Sequence, residues 1–324
     1  MDLLVNFGWL VLGLVLLYYG AEWLVRGSST LAISCGLSPL VVGLTVVAFG
    51  TSAPELVVSV KANLDGSGGM ALGNVVGSNI CNIALVLGVG AIISPISVVR
   101  QVVRQEMPIL LTVTLLVLGF LYDGVVARWE GVVLTVTVVG YTIFSILQAR
   151  RESKSEQHDG GDVPEEVIAA AREGGAKQVA FSSGLVVAGV VLLVVGADRM
   201  VFGGRAIADR FGVPEEVIAL TLFAFGTSLP ELATSVVASL KKQGDIVVGN
   251  VVGSCIFNLL AVTGITAMVA PIGRGTLTMV DLGLMLALTA IVWPMMRTGM
   301  SVRRLEGGVL LAVYLGYFAW LALA

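Results

Sequence analysis

The sequence predicts an all-α polytopic membrane protein, with ten transmembrane helices in two inverted-topology five-helix repeats. Three observations predict it: charge is scarce, apolar segments of membrane length recur, and the second half restates the first. Only 13% of the 324 residues are charged and 56% are hydrophobic. The mean hydropathy is +0.96. A soluble domain carries about 25% charged residues, so this chain cannot cover a globular surface with polar groups. Disorder is excluded by the same figures, since it needs high charge and low hydrophobicity. Forty glycines fit a membrane protein, where glycine is more frequent than in soluble helices.

A bilayer core requires about 20 mostly apolar residues per helix. Along the chain such segments fall near 7–25, 38–62, 70–93, 106–122 and 130–148. A polar stretch over 149–177 follows, with Arg150, Arg151, Glu152, Lys154, Glu156 and Asp159. Five more segments fall near 178–201, 213–239, 246–270, 276–296 and 305–323. The expected organisation is a first five-helix repeat over 1–148, a loop over 149–177 and a second repeat over 178–324. Alternating sides along these spans puts six of the 19 Lys and Arg residues on the side of the N-terminus and thirteen on the other. The positive-inside rule places the thirteen, with the central loop, in the cytoplasm and both termini outside. The expected location is a cell membrane, the inner or plasma membrane.

The repeat is visible residue by residue. AFGTSAPEL and GNVVGSNICN return as AFGTSLPEL and GNVVGSCIFN, and Thr51 to Thr227, Glu55 to Glu231 and Ser78 to Ser254 are each 176 residues apart. Five spans separate the copies. Five is odd, so the second copy enters the membrane from the opposite side. In secondary transporters built this way, the substrate site lies at the repeat interface near the midplane. A duplicated scaffold accounts for repeated glycines and leucines, but not for a repeated carboxylate in mid-span.

Each copy places Gly-Thr-Ser-x-Pro-Glu inside an apolar helix: Gly50, Thr51, Ser52, Pro54 and Glu55, then Gly226, Thr227, Ser228, Pro230 and Glu231. Proline removes a backbone donor and clashes with the preceding turn, so the helix is expected to break or kink there. Freed carbonyls at that depth need protein, water or an ion. An ionised glutamate in mid-membrane costs roughly 3 kcal/mol or more unless it is paired. The one Lys or Arg within these two spans, Lys61, stands at the very end of its span, which makes a bound cation the natural partner of both glutamates. The next helix of each copy brings Ser78 with Asn82, and Ser254 with Asn258, four residues apart and so on one face. Two carboxylates, amide oxygens and hydroxyls form an all-oxygen set suited to hard cations such as Na+ and Ca2+. Glu22 and Asp198 stand near helix ends beside arginines and read as interfacial. Asp281 is a weaker candidate, because Gln105 occupies its counterpart position.

Other chemistries are disfavoured. Cys35, Cys81 and Cys255 lie in or beside apolar segments without metal-ligand spacing and read as small core residues. The one histidine, His158, sits in the charged loop, against a zinc or histidine-based site. A net charge of −3 suggests no nucleic-acid partner. The N-terminus has no positive region ahead of its apolar run, so no removable signal peptide is expected.

In these motifs the chain resembles the cation/calcium exchanger superfamily, in particular the sodium/calcium exchangers and their prokaryotic relatives. The resemblance covers essentially the whole chain and is most specific in GTSAPE with GNVVGSN and GTSLPE with GNVVGS. It implies ten helices in two inverted halves and four ion sites at the centre. It implies Glu55 and Glu231 as shared Ca2+ and Na+ ligands, with Thr51, Ser52, Ser78, Thr227, Ser228 and Ser254 as hydroxyl ligands. Ala48 and Ala224 would offer carbonyls, and Asn82 would complete the first-half set. Family members differ at the position of Asn258, where potassium-dependent members are similar in using an acid; asparagine here leans towards no K+ requirement. Proton-coupled members carry a GNATE-like sequence where this chain has GTSAPE.

The expected function is therefore an antiporter exchanging Na+ for Ca2+ by alternating access, with no catalytic residue, no cofactor and no obligate protein partner. Spans one and six are expected to move. An H+- or K+-coupled Ca2+/cation antiporter is the alternative within this class. A cation channel would use similar oxygens, but would show flux without a counter-ion. An intramembrane enzyme would need a Ser-Lys, Ser-His or paired-Asp arrangement, for which the spans hold no His and no Lys away from their ends.

Overall fold

The computed structural model describes residues 3–34, 37–155, 175–211, 224–275 and 277–323. Cys35, His158 and most of the predicted central loop lie outside these residues. The fold is a helical polytopic membrane fold. Among the described residues, seven helices are long and apolar enough to cross a membrane. An eighth is added if the bent pair Pro39–Thr51 and Ala53–Leu64, inclined at 43°, forms one span.

In chain order, α1 is Leu3–Ser34, α2 is Pro39–Thr51, α3 is Ala53–Leu64 and α4 is Gly68–Ile93. Strand β1, Ile96–Ser97, leads to α5, Val102–Asp123. Strand β2, Val125–Val126, precedes α6, Arg128–Ser155. Next come α7, Gly175–Arg210; α8, Ala224–Thr227; α9, Leu229–Leu240; and α10, Gly244–Val269. Strand β3 is Ile272–Gly273, α11 is Met279–Arg297, β4 is Ser301–Val302 and α12 is Arg304–Leu323. Helices α6 and α7 both run into the predicted loop, the first to Ser155 and the second from Gly175. The expected seventh span, 213–239, is described only from Ala224 onward.

Two layers are distinguished by burial. In the most apolar stretches of α10 and α4, 94% and 78% of residues are buried by protein, against 22% for α1 and 28% for α7. Helices α4 and α10 therefore form the core, and α1, α6 and α7 present much of their surface to the bilayer. Wide i→i+5 turns interrupt the regular helix at Gly43–Val47, Cys81–Val86 and Asn258–Val262. Such turns are often found at functional sites, because they free a carbonyl and shift the side-chain stripe by one residue.

Helices α1 and α7 pack together along their length. The reason is a glycine every seven residues: Gly13, Gly20 and Gly27 on α1, and Gly189, Gly196 and Gly203 on α7. A methyl group on Gly20 would lie 2.8 Å from the Leu193 nitrogen, and one on Gly189 would lie 2.7 Å from the Leu24 nitrogen. The seam is thus backbone against backbone, the arrangement small residues permit between membrane helices.

Small sheets tie the ends. Ile96 pairs with Val302 in one antiparallel ribbon, and Val126 pairs with Ile272 in the other. Asp281 is buried, but at the start of its span and not in the middle. It is the third residue of α11, in a capping box with Thr278: its Oδ2 accepts from the Thr278 nitrogen at 2.8 Å and the Thr278 hydroxyl at 2.7 Å. Its Oδ1 accepts from the Tyr317 hydroxyl at 2.7 Å. A carboxylate so occupied serves the helix end, as a cap does.

Candidate functional site

The helix breaks at Ser52 and Ser228 set the site. At both residues the backbone leaves the helical region, with ψ values of 6° and 4°. Helices α3 and α9 start immediately afterwards, with proline in the first turn and Glu55 or Glu231 beside it. Each carboxylate therefore sits at a helix N-terminus, where unpaired N–H groups and the helix macrodipole favour negative charge. This is a second source of support for the buried anion besides a cation. Both glutamates are fully buried.

The hydroxyls converge on them. The Ser52 hydroxyl donates to Glu231 Oε1 at 3.0 Å, and the Ser254 hydroxyl reaches the same oxygen at 3.5 Å. Ser78 reaches Glu55 Oε1 at 3.5 Å. The Ser228 hydroxyl lies 3.4 Å from that of Ser78, and Thr51 lies 3.5 Å from the Ser254 hydroxyl. The first copy thus reaches across to the second and the second to the first. Glu55 Oε2 and Glu231 Oε2 are buried with no hydrogen-bond partner. Buried polar groups are nearly always partnered, so these two oxygens fit a cation that passes through as cargo.

The other predicted residues fall around this cluster. Asn82 and Asn258 are each one turn beyond the serine of their helix, inside the wide turns, and fully buried. Neither amide makes a hydrogen bond through oxygen or nitrogen. The Ala48 carbonyl accepts the Ser52 N–H at 3.0 Å and the Thr51 hydroxyl at 3.4 Å. Ala224 is the first residue of α8. Glu22 forms an ion pair with Lys241 at 2.6 Å, and Asp198 forms one with its neighbour Arg199 at 3.2 Å. Cys81 and Cys255 are buried free thiols.

Sequence reasoning missed Asn74 and Asn250. The Asn74 amide donates to the Glu55 carbonyl at 3.2 Å and to the Ser59 hydroxyl at 3.0 Å. Its oxygen accepts from the Thr227 hydroxyl at 3.2 Å. Asn250 does the same in the other copy, donating to the Glu231 carbonyl at 3.3 Å and Ser235 at 3.1 Å, and accepting from Thr51 at 3.2 Å. These asparagines hold the carboxylate-bearing turn of their own copy to the broken turn of the other. The signal was present: Asn74, Ser78 and Asn82 follow one another at four-residue spacing on one face, as do Asn250, Ser254 and Asn258.

The model of the family described as sodium/calcium exchanger protein matches the chain twice, over residues 5–147 and 181–323. The chain is 37% identical to the CaxA protein of Alkalimonas amylolytica over 95% of both chains. It is 31% identical to the sodium/calcium exchanger MaX1 of Methanosarcina acetivorans over 97% of both. A solved structure of the sodium-calcium exchanger NCX_Mj superposes with a TM-score of 0.84 at 31% identity, covering 99% of this chain and 100% of that one.

Proposed function

From membership of the sodium/calcium exchanger protein family, to which the chain belongs, we propose that it exchanges Na+ for Ca2+ across a membrane by alternating access. Family and fold make it a cation/Ca2+ antiporter, a transporter and not an enzyme, which moves its ions without a cofactor. The single observation that carries the ion site is the crossed cluster around Glu55 and Glu231. Two buried carboxylates from two matched helix breaks each keep one oxygen unpartnered, amid hydroxyls of both copies.

In this reading the site is shared. With both glutamates ionised it carries about two negative charges, enough to balance one Ca2+, and oxygen donors suit such hard ions. Several Na+ in its place would leave a different net charge, so exchange moves charge across the membrane. Ser52, Ser78, Ser228, Ser254, Thr51 and Thr227 supply hydroxyls, Asn82 and Asn258 amide oxygens, and Ala48 and Ala224 carbonyls. Asn74 and Asn250 are positioning residues. Ten spans in two inverted repeats, 1–148 and 178–324 around the loop 149–177, fit the double family match and the matched ribbons at the two ends. The loop is assigned to the cytoplasm and the termini to the outside by the Lys and Arg distribution. The moving unit is α1 with α7, the two span helices least enclosed by protein besides α6.

The test is uptake of radiolabelled calcium into proteoliposomes driven by an outward Na+ gradient, with K+ or a proton gradient substituted in parallel. Uptake that follows Na+ alone supports the coupling. Uptake that follows protons instead would assign the chain to proton-coupled exchange.

A further inference from the structure

The turn between α9 and α10, together with strand β1, encloses a pocket of about 170 Å³ lined by Ser94, Ser97, Ser239, Lys242 and Gly244. One water takes about 30 Å³ of liquid, so a small polyatomic ion has room there. The matching place 176 residues away is built differently. Asn63 stands where Ser239 stands, and its amide donates to the Ala270 carbonyl at 2.7 Å and the Thr266 carbonyl at 3.3 Å. Ala270 is the counterpart of Ser94, Gly273 of Ser97 and Gly66 of Lys242. One end is closed by a long amide tied to backbone. At the other, a shorter side chain opens the space, and two hydroxyls and an ammonium are added around it.

Independent observations point to a ligand. Ser239 is only 3% exposed, and its hydroxyl oxygen has no hydrogen-bond partner. Lys242 holds φ at +58°, where Gly66 has +81°. In both copies this residue closes the preceding helix in the left-handed region, where glycine is usual and lysine is not. Gly244 opens the 26-residue helix α10, whose N-terminal N–H groups and macrodipole attract anions. The carboxylates nearby do not oppose this: Glu22 is paired with Lys241, and Asp245, in the first turn of α10, does not line the pocket. Arg304 adds positive charge, donating to the Ile93 carbonyl next to Ser94 at 3.3 Å.

We propose that this pocket binds a phosphate-type oxyanion, with the hydroxyls of Ser94, Ser97 and Ser239 and the Lys242 ammonium as its donors. The phosphate belongs either to a phospholipid headgroup or to the free ion. The site stands apart from the glutamates, so its failure leaves the exchange reading untouched.

Full-length protein in detergent is titrated calorimetrically with inorganic phosphate. In parallel, protein in phosphatidylcholine vesicles with and without phosphatidic acid is melted. Lys242→Gly and Ser239→Asn install the residues that the same turn carries at the other end. Saturable phosphate binding that weakens about tenfold or more in both variants assigns the free ion, as loss of a charge-assisted bond or its space requires. A rise in melting temperature with phosphatidic acid, lost in both variants, assigns the headgroup. Responses unchanged in the variants, or no response of the wild type to either probe, overturn the proposal. Should Ser239→Asn fail to fold, Lys242→Gly decides alone, since glycine suits its backbone angle.

Discussion

Glu22 on α1 and Lys241 at the end of α9 close one end of the molecule with a 2.6 Å ion pair. The counterpart positions, Asp198 on α7 and Asp65 at the end of α3, are both acidic and would repel. Packing differs in the same sense: α1 lies against α9, and α7 has no comparable contact with α3. At the centre the two copies are close to interchangeable, with Asn74 and Asn250 making the same three kinds of contact at distances within 0.1 Å of each other. The central cluster is built alike by both copies, and the two ends of the molecule differ in the charges at their helix ends. A transporter needs both, since a site of equal quality from either side still requires gates that can be told apart.

The largest expected effect breaks the central equality. Glu55→Gln or Glu231→Gln should each lower calcium uptake on the order of a hundredfold or more, because losing one buried charge partner costs about 2–5 kcal/mol. Glu231 accepts from two hydroxyls and Glu55 from one. Uptake of the two variants compared side by side tells whether that inequality matters. Full uptake in the double variant would remove the site assignment.

Next come the asparagines. Asn74→Ala and Asn250→Ala should each destabilise the fold by about 1–3 kcal/mol, the range for leaving buried polar groups unsatisfied. Thermal melting in detergent should show equal losses for the pair. Unequal losses would show that the matched contacts do not carry matched energies. Gly20→Leu and Gly196→Leu probe the seam; forcing a side chain against backbone should cost about 1–3 kcal/mol and slow exchange. The smallest effect sharpens the comparison at the ends. Lys241→Gln removes a part-buried pair near the surface, worth about 1 kcal/mol or less. It should raise labelling of a cysteine introduced beneath that end by a fewfold, while Asp65→Asn leaves it unchanged. Acidification should reduce exchange in every one of these proteins that retains both glutamates, since a protonated acid is a poorer ligand.

Much of the site was legible because it is written twice. Glu55 and Glu231 stand out as carboxylates at one offset inside apolar spans. Asn74 and Asn250 sat inside the same quoted motif, yet asparagine in a membrane helix also serves as ordinary glue between helices, and only the contact to the glutamate carbonyl separates the roles. The role of Asp281 is legible locally, because Thr278 three residues earlier completes a capping box. The Glu22–Lys241 pair had no local signal: its members are 219 residues apart and meet only once α1 is laid on α9. Helix α6 outruns its apolar segment because charged residues such as Arg150 and Lys154 end an apolar run without ending a helix.

The glycine seam between α1 and α7 has a mechanical consequence. Interdigitated side chains hold two helices like meshed teeth, and displacement along the axis must lift one set over the other. A seam of glycines every seven residues meshes more closely still, because each glycine seats the facing backbone in the gap its missing side chain leaves. It locks the pair into one stiff antiparallel strut, drawn equally from both halves of the chain. In the exchange cycle proposed for this chain, a displacement of α1 is expected to carry α7 with it, as one body.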